Sequence, residues 1–585
     1  MQNLNGQEIP RPEYPRPQLV REDWINLNGV WEFEIDHGKS GQARELFKKG
    51  NLKDEILVPF CPESKLSGIE YKDFMNAVWY KRNFTIPKQW FSGKILIHFG
   101  AVDYAAEVWI NGQSVGTHQG GYTPFTLDIT DYVNKGNNNV TVYVEDDLRS
   151  RLQAGGKQSQ KYHSHGCYYT RTTGIWQTVW LESVPPQYIS GFKCNPDPKN
   201  SSIDLEVFFS GDVRDYTLNV NTFYDGSETG AKQIALSSST VNLNIELSEI
   251  HLWDVGQGRL YDLEITLSKN NQKVDKVDSY FGLRSISLTD KVILINDNPV
   301  FQRLVLDQGF YPDGIYTAPT DDDLKKDIKL SMDMGFNGAR LHEKIFEPRF
   351  LYWADRLGYI VWGEHANWGL DITTPMGLER FLPEWMEALE RDYNHPAIVG
   401  WCPFNETWDK GDLTGGIKQD DEVLRIVYNV TKAIDKTRPV IDTSGNYHVV
   451  TDVFDVHNYE QDPIKFAALF EAMKTGGEVY VHFPKRQQYE GQPYFVSEYG
   501  GIWWKPGDKE GWGYGKRPES EEEFIERYKG LTETLLNHPE ICAFCYTQLY
   551  DVEQEVNGLY TYDRKPKFDP EIIRRINTQI AAIED

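Results

Sequence analysis

Up to about residue 185, apolar positions recur mostly every second residue, the period of a strand with one face buried. ILIHF at 95–99, VTVYVED at 140–146 and IWQTVWLESV at 175–184 carry this pattern. In AAEVWINGQSVG, Asn111-Gly112 separates two strand-like runs, and that pair suits a type I′ turn, which needs φ > 0 at both centres. Helical periodicity is nearly absent, so residues 1–185 are predicted to form a jelly-roll β-sandwich of sugar-binding type. IDLEVFF, YTLNVNTFY, VNLNIEL and LYDLEITL follow with polar turns between them. They predict an immunoglobulin-like sandwich over 186–283.

From residue 284 the period changes. Thr320 reads as an N-cap, Asp321, Asp322 and Asp323 load the positive end of a helix dipole, Leu324, Ile328 and Met332 line one face, and Gly335 ends the helix. FNGARL, GYIVWGE, AIVGWCPFNE, RPVIDTS, VFDVHNY, PYFVSEYGG and CAFCYTQLY continue the strand–helix alternation. Residues 284–585 are thus predicted to fold as a catalytic (β/α)₈ TIM barrel, whose active sites lie at strand ends.

Two of those strand ends carry chemistry. AIVGWCPFNETW places Asn405 and Glu406 directly after an apolar strand, and PYFVSEYGG ends another on Glu498. A carboxylate at a barrel strand's C-terminal tip points into the bowl, and two of them supply the pair that glycoside hydrolysis requires. An isolated strand-end Glu could equally be half of a structural salt bridge; two together are harder to explain that way.

Composition narrows the partners. The net charge is −26, which disfavours nucleic acid and anionic membranes. Aromatics make up 13% of residues, flat faces of the kind sugars pack against, although most such rings belong in cores. The six Cys form no zinc-binding spacing, and Cys542 and Cys545 read as buried thiols. The N-terminus has no signal-like apolar segment, which predicts a cytoplasmic protein.

WCPFNETW and FVSEYGG resemble the acid/base and nucleophile motifs of glycoside hydrolase family 2, the family of β-galactosidases, β-glucuronidases and β-mannosidases. GVWEFEID at 29–36, VWYKRNFTIP at 78–87, TTGIWQTVWLE at 172–182 and FGLRSISL at 281–288 extend the resemblance over nearly the whole chain. The resemblance implies a retaining exo-β-glycosidase without metal or cofactor, acting on a glycoside or oligosaccharide, with Glu498 as nucleophile and Glu406 as acid/base. It further implies that Asn405 bonds the sugar 2-OH, that His342 bonds sugar hydroxyls, that Arg340 supports the nucleophile's charge and that Tyr459 bonds the nucleophile. A homo-oligomer would be in keeping with the family. Trp503, Trp504, Trp512 and Tyr514, in the loop after the nucleophile strand, are candidates to wall the pocket or to anchor that loop.

Two departures bear on the sugar. Where the family's galactosidases and glucuronidases carry an Arg-His-Glu-like string, this chain has RLVLDQGFYPDG, so Asp307 is the candidate to bond O4 or O6 of a neutral sugar. Where glucuronidases carry Asn-x-Lys, it has DVEQEVNGLY, with three acids and no Lys. A uronate carboxylate near those acids would be costly. These departures favour a neutral pyranoside, β-galactoside first, with β-glucoside, α-L-arabinopyranoside and β-glucuronide as alternatives. A non-catalytic carbohydrate-binding protein has no use for both glutamates, and nothing in the sequence separates hydrolysis from transglycosylation.

Overall fold

The structure, a computed structural model, describes residues 9–48, 50–408, 419–505, 507 and 510–584. Three units follow one another. The first is a sandwich of a four-stranded and a six-stranded antiparallel sheet. Trp31, Phe33, Ile97, Phe99, Val142 and Leu181 meet between the sheets. Asn111 and Gly112 both adopt positive φ at the hairpin between Ala105–Ile110 and Gln113–Gln119. The second unit packs a three-stranded sheet on a four-stranded one around Leu205, Val220, Ile245 and Ile265, in the manner of an immunoglobulin-like domain.

The third unit is the (β/α)₈ barrel. Its strands are β1 (Gln302–Asp307), β2 (Gly338–Leu341), β3 (Ile360–Glu364), β4 (Ile398–Cys402), β5 (Thr443–Ser444), β6 (Phe454–Asn458), β7 (Tyr494–Gly500) and β8 (Ile541–Thr547). β4 runs on through Phe404–Asn405, which pairs in parallel with β5. Leu304, Leu306, Ile360, Trp362, Phe495 and Cys545 fill the interior, while Val305, Ala339, Leu341 and Val496 face the surrounding helices. Cys542 and Cys545 are buried free thiols.

The helix after β1 spans Asp321–Asp333, with a capping box in which Thr320 and Asp323 satisfy each other's backbone N–H groups. β5 departs from the regular pattern, because no helix follows it. Asp442 accepts instead from the N–H groups of Val449 (2.6 Å) and Val450 (3.0 Å), so its carboxylate replaces the backbone pairing that a helix would supply.

Buried contacts join the units. Trp176 of the jelly roll packs 5.2 Å from Tyr316, and its carbonyl accepts from the Thr317 hydroxyl, while Glu384 of the barrel accepts from Tyr122 N at 2.7 Å. Trp253 and Tyr280 of the second unit bond Asp355 of the barrel. Among the described residues no helix is long and apolar enough to cross a membrane.

Candidate active site

Arg340 organises the bowl. It sits one residue before the tip of β2, between the helix-facing Ala339 and Leu341, so the pleat turns it inward. Its Nε donates to Glu364 at 2.7 Å, Nη1 to Ser497 O at 2.9 Å and Glu498 at 3.1 Å, and Nη2 to Asn405 Oδ1 at 3.0 Å. One buried guanidinium thereby fixes side chains from three other strands.

Glu498 reaches the bowl through an irregularity in β7. Val496 and Tyr499 both face the helices although they stand three positions apart, and the pairing with β6 and β8 shifts register there. The extra residue re-aims Glu498 inward. Its Oε1 lies 3.1 Å from Arg340 and 3.3 Å from His342 Nε2, and its Oε2 lies 3.4 Å from His457 Nδ1 and accepts from the Tyr459 hydroxyl. Burial works against its charge, but His457, His342 and Arg340 outweigh burial and hold its carboxyl well below the usual carboxylate range. Burial, with Lys157, drives His342 down to about 3, so His342 stands here as a neutral ring, bonded through Nδ1 to Gln308 at 3.1 Å.

Glu406 follows directly on the β4 extension. It holds φ +46°, uncommon for a side chain of this kind, and donates its N–H to Ser444 O at 2.9 Å. Its side chain is 21% exposed where that of Glu498 is 5%, so it fronts the open side of the bowl. His457 Nδ1 lies 2.8 Å from Glu406 Oε1. Ligand atoms of Glu406, His457 and Glu498 fall within 4.8 Å of one another, a span that would also suit a divalent cation, although Arg340 already supplies positive charge at Glu498.

Asn405 is fixed on every side but one. Its N–H donates to Asn367 Oδ1 (2.7 Å), its carbonyl accepts from Trp368 Nε1 (3.1 Å), and its Oδ1 accepts from Arg340. Its buried Nδ2 has no partner among the described residues. A buried, unsatisfied donor beside two carboxylates is what a hydroxylated ligand would complete.

Sequence comparison agrees with this architecture. The chain matches the Glycosyl hydrolases family 2 sugar binding domain over residues 65–185, the central Glycosyl hydrolases family 2 domain over 187–284 and the Glycosyl hydrolases family 2 TIM barrel domain over 286–582. This chain belongs to glycoside hydrolase family 2. It is 25% identical to a β-glucuronidase of Canis lupus familiaris over 499 residues, covering 76% of this chain and 73% of that protein. A β-galactosidase of Thermoanaerobacterium thermosulfurigenes is 27% identical over 496 residues, 82% of this chain and 64% of that one. Among solved structures, a β-glucuronidase of Lactobacillus rhamnosus superposes with a TM-score of 0.80 at 21% identity, covering 97% of this chain and 99% of that one. The family member described here is a retaining exo-glycosidase that hydrolyses O-glycosyl bonds.

Two residues expected at the sugar lie elsewhere. Asp307 is buried with its Oδ1 committed to the Tyr550 hydroxyl (2.5 Å) and Gly309 N–H (2.9 Å). Leu304 and Leu306 point into the barrel, so Asp307 shares the outward side of Val305. Burial, and then Asp327, push its carboxyl up to about 6. Trp504 packs on Phe524 of the helix Glu521–Leu536, with Arg517 over its ring, and anchors the loop instead of walling the pocket. Trp503 is half-buried, with its indole N–H unpartnered among the described residues. Tyr514 stacks on Tyr459 at 3.5 Å and 6°, holding the ring whose hydroxyl bonds Glu498.

Sequence reasoning did not single out His457, Trp368 or the jelly-roll loop over 153–172. His457 lies two residues before Tyr459 at the tip of β6, and that placement was its only signal. The loop crosses into the barrel mouth. Gly155 and Gly156 donate to Trp368 O at 2.8 and 3.0 Å, and Tyr169 and Thr170 donate to Glu555 and Glu553. Gly156 adopts φ +54°, and a Cβ there would sit only 2.3 Å from Glu343 O, so this approach requires glycine.

Behind the site, His448 bridges Asp442 (2.7 Å) and Asp455 (3.0 Å), and Asp455 accepts from Ser444, which bonds His457 at 2.9 Å. Burial opposes the charge of His448, but Asp442 and Asp455 prevail and raise it from 6.5 to about 10. A pKa raised on folding stabilises fully below the unfolded value of about 6.5, and that contribution is lost as pH rises through about 10. His448→Gln should therefore lower Tm at neutral pH, and the gap to wild type should narrow above pH 10; a gap constant across this range would show that His448 carries no such charge.

Proposed function

We propose that the enzyme removes a terminal β-D-glucuronosyl residue by double displacement. Glu498 attacks the anomeric carbon and forms a glycosyl-enzyme; Glu406 protonates the departing oxygen and then takes a proton from the attacking water. The observation that carries this reading is the separation of the two carboxylates, with ligand atoms within 4.8 Å across one Arg340-centred network. Retention requires carboxyl groups about 5–5.5 Å apart, whereas inversion leaves room for a water between them at about 6.5–9.5 Å. The low affinity of Glu498 for protons keeps it a ready nucleophile. The free Nδ2 of Asn405 suits the sugar 2-OH, a contact that strengthens as positive charge develops at the anomeric carbon.

Two considerations move the substrate from a neutral pyranoside towards a uronide. Relatives that bear the name β-glucuronidase, from dog, cat, pig and rat to Streptococcus agalactiae, are among the similar sequences, beside the Thermoanaerobacterium β-galactosidase. In addition, the acidic run after β8 is already engaged. Asp551 pairs with Lys567 at 2.6 Å, Glu553 accepts from Thr170 N–H, and Glu555 accepts from Tyr169 (2.5 Å) and Asn557 (3.0 Å). Asp551 thus carries its own counter-charge, and Glu553 and Glu555 are turned to donors from the jelly-roll loop and Asn557, which weakens the objection to a uronate.

A β-galactoside is the second reading. It is favoured by the Thermoanaerobacterium relative and by Asn557, which stands in EVNGLY where no lysine is available. A panel of nitrophenyl β-D-glycosides decides between them. The expected result is kcat/KM on the glucuronide at least about tenfold above that on the galactoside. The reverse order would return the assignment to a neutral sugar.

A further inference from the structure

Lys157 takes no part in the double displacement, yet it lies in the pocket. It comes from the jelly-roll loop and sits among barrel groups, with a side chain packed over the Trp368 ring, Nζ 4.0 Å from its centroid. Only 5% of the residue is exposed. Trp368 in turn donates to the carbonyl of Asn405, next to Glu406. Among the described residues the partner of the Lys157 ammonium is the Trp368 ring, with no ion pair within 4.0 Å and no side-chain hydrogen bond. Burial works against its charge, yet Cys167, Glu555, Glu406 and Glu498 more than offset burial and keep it cationic. Its Nζ, held by the indole ring alone and not sealed off, keeps donors available to a ligand entering the site.

We propose that Lys157 is a specificity residue that the N-terminal domain contributes to the sugar subsite, its ammonium receiving the carboxylate of a bound uronic acid. This rests on the glucuronide reading above. The placement suits the task in two respects. The Gly155-Gly156 backbone is strapped to Trp368, so the lysine is positioned before substrate arrives. The indole face holds the ammonium itself by a cation–π contact, leaving its other side to a ligand. A neutral sugar would leave that ammonium to a hydroxyl, a weaker partner than a carboxylate. The function of the jelly roll is then chemical as well as architectural, since the subsite is incomplete without it.

The test compares wild type, Lys157→Met and Lys157→Arg on nitrophenyl β-D-glucuronide and on the best neutral glycoside of the panel, with inhibition by D-glucuronate measured alongside. Lys157→Met should lower kcat/KM on the glucuronide by about 100-fold, mostly through KM, and raise the Ki of glucuronate by a similar factor. The ratio of glucuronide to neutral-glycoside activity should fall at least about tenfold, and Lys157→Arg, which keeps the charge, should recover part of the loss. Thermal melts report whether the loop stays docked; if the Met variant unfolds, Lys157→Gln replaces it. Unchanged KM and Ki overturn the proposal, as does an equal loss on both substrates, which would make Lys157 a general support for the carboxylates. A wild type inert on the glucuronide but active on a neutral glycoside brings down the glucuronide reading itself, and that result is visible before any variant is made.

Discussion

Glu498→Gln should lower kcat by about 10⁴-fold or more, equivalent to roughly 5.5 kcal/mol or more of transition-state stabilisation. The amide matches the carboxylate in size; its one oxygen can still accept from Arg340 while its NH₂ donates to the Tyr459 hydroxyl oxygen, so the groups around it lose little geometry. It cannot form the glycosyl-enzyme, and no described neighbour can take over. Glu364 is held by Arg340 at 2.7 Å, and Glu406 is bonded to His457 at the open side of the bowl. The stability cost should be modest, on the order of 1–3 kcal/mol, because Arg340 keeps Glu364 as its counter-charge when Glu498 is neutralised. Steady-state kinetics on an aryl glycoside, with a melting curve as control, separate the two effects. A folded variant retaining a few per cent of wild-type kcat would mean that another group attacks the anomeric carbon.

What the sequence made legible is what local rules encode. The period-two strands, the Asn111-Gly112 turn and the Thr320–Asp323 cap each depend on residues a few positions apart, and the structure has all three. Strand-end position likewise located Arg340, Asn405 and Glu498, because a parallel strand ending on a polar residue has few places to put it. Such rules fail where facing depends on parity. Asp307 and Glu498 both end apolar strands, yet the regular pleat of β1 turns Asp307 towards Tyr550 while the irregularity in β7 turns Glu498 inward. Counting alternate residues from Leu304 would have found the first; nothing short of the register reveals the second. β5, with two residues and no helix behind it, has too little pattern to read. Lys157 and Tyr169 were out of reach for another reason: their partners lie some hundreds of residues away, as with Tyr169 and Glu555, and no local signal carries such a contact.

Glu406→Gln should show a different signature, because an acid/base serves both halves of the reaction. In the first half its proton matters in proportion to how poorly the leaving group departs as an anion. A dinitrophenolate leaves unaided, so the variant should form the glycosyl-enzyme from a dinitrophenyl glycoside at close to the wild-type rate. From an alkyl glycoside or a disaccharide the same step should slow by about 10²–10⁴-fold. In the second half water must lose a proton whatever the first leaving group was, and the substituted amide cannot accept it. Rapid mixing with the dinitrophenyl substrate should therefore give a burst of about one dinitrophenolate per active site, then a slow steady state limited by hydrolysis of the intermediate. The oxygen of that amide can still accept from His457 Nδ1, whose wild-type contact with Glu406 is 2.8 Å, so the β4 extension should hold its place and the burst amplitude should report intact sites. A loss equal for all leaving groups, with no burst, would assign Glu406 to substrate positioning and leave the proton transfers to His457, the only other titratable side chain among the described residues shown here in contact with both carboxylates.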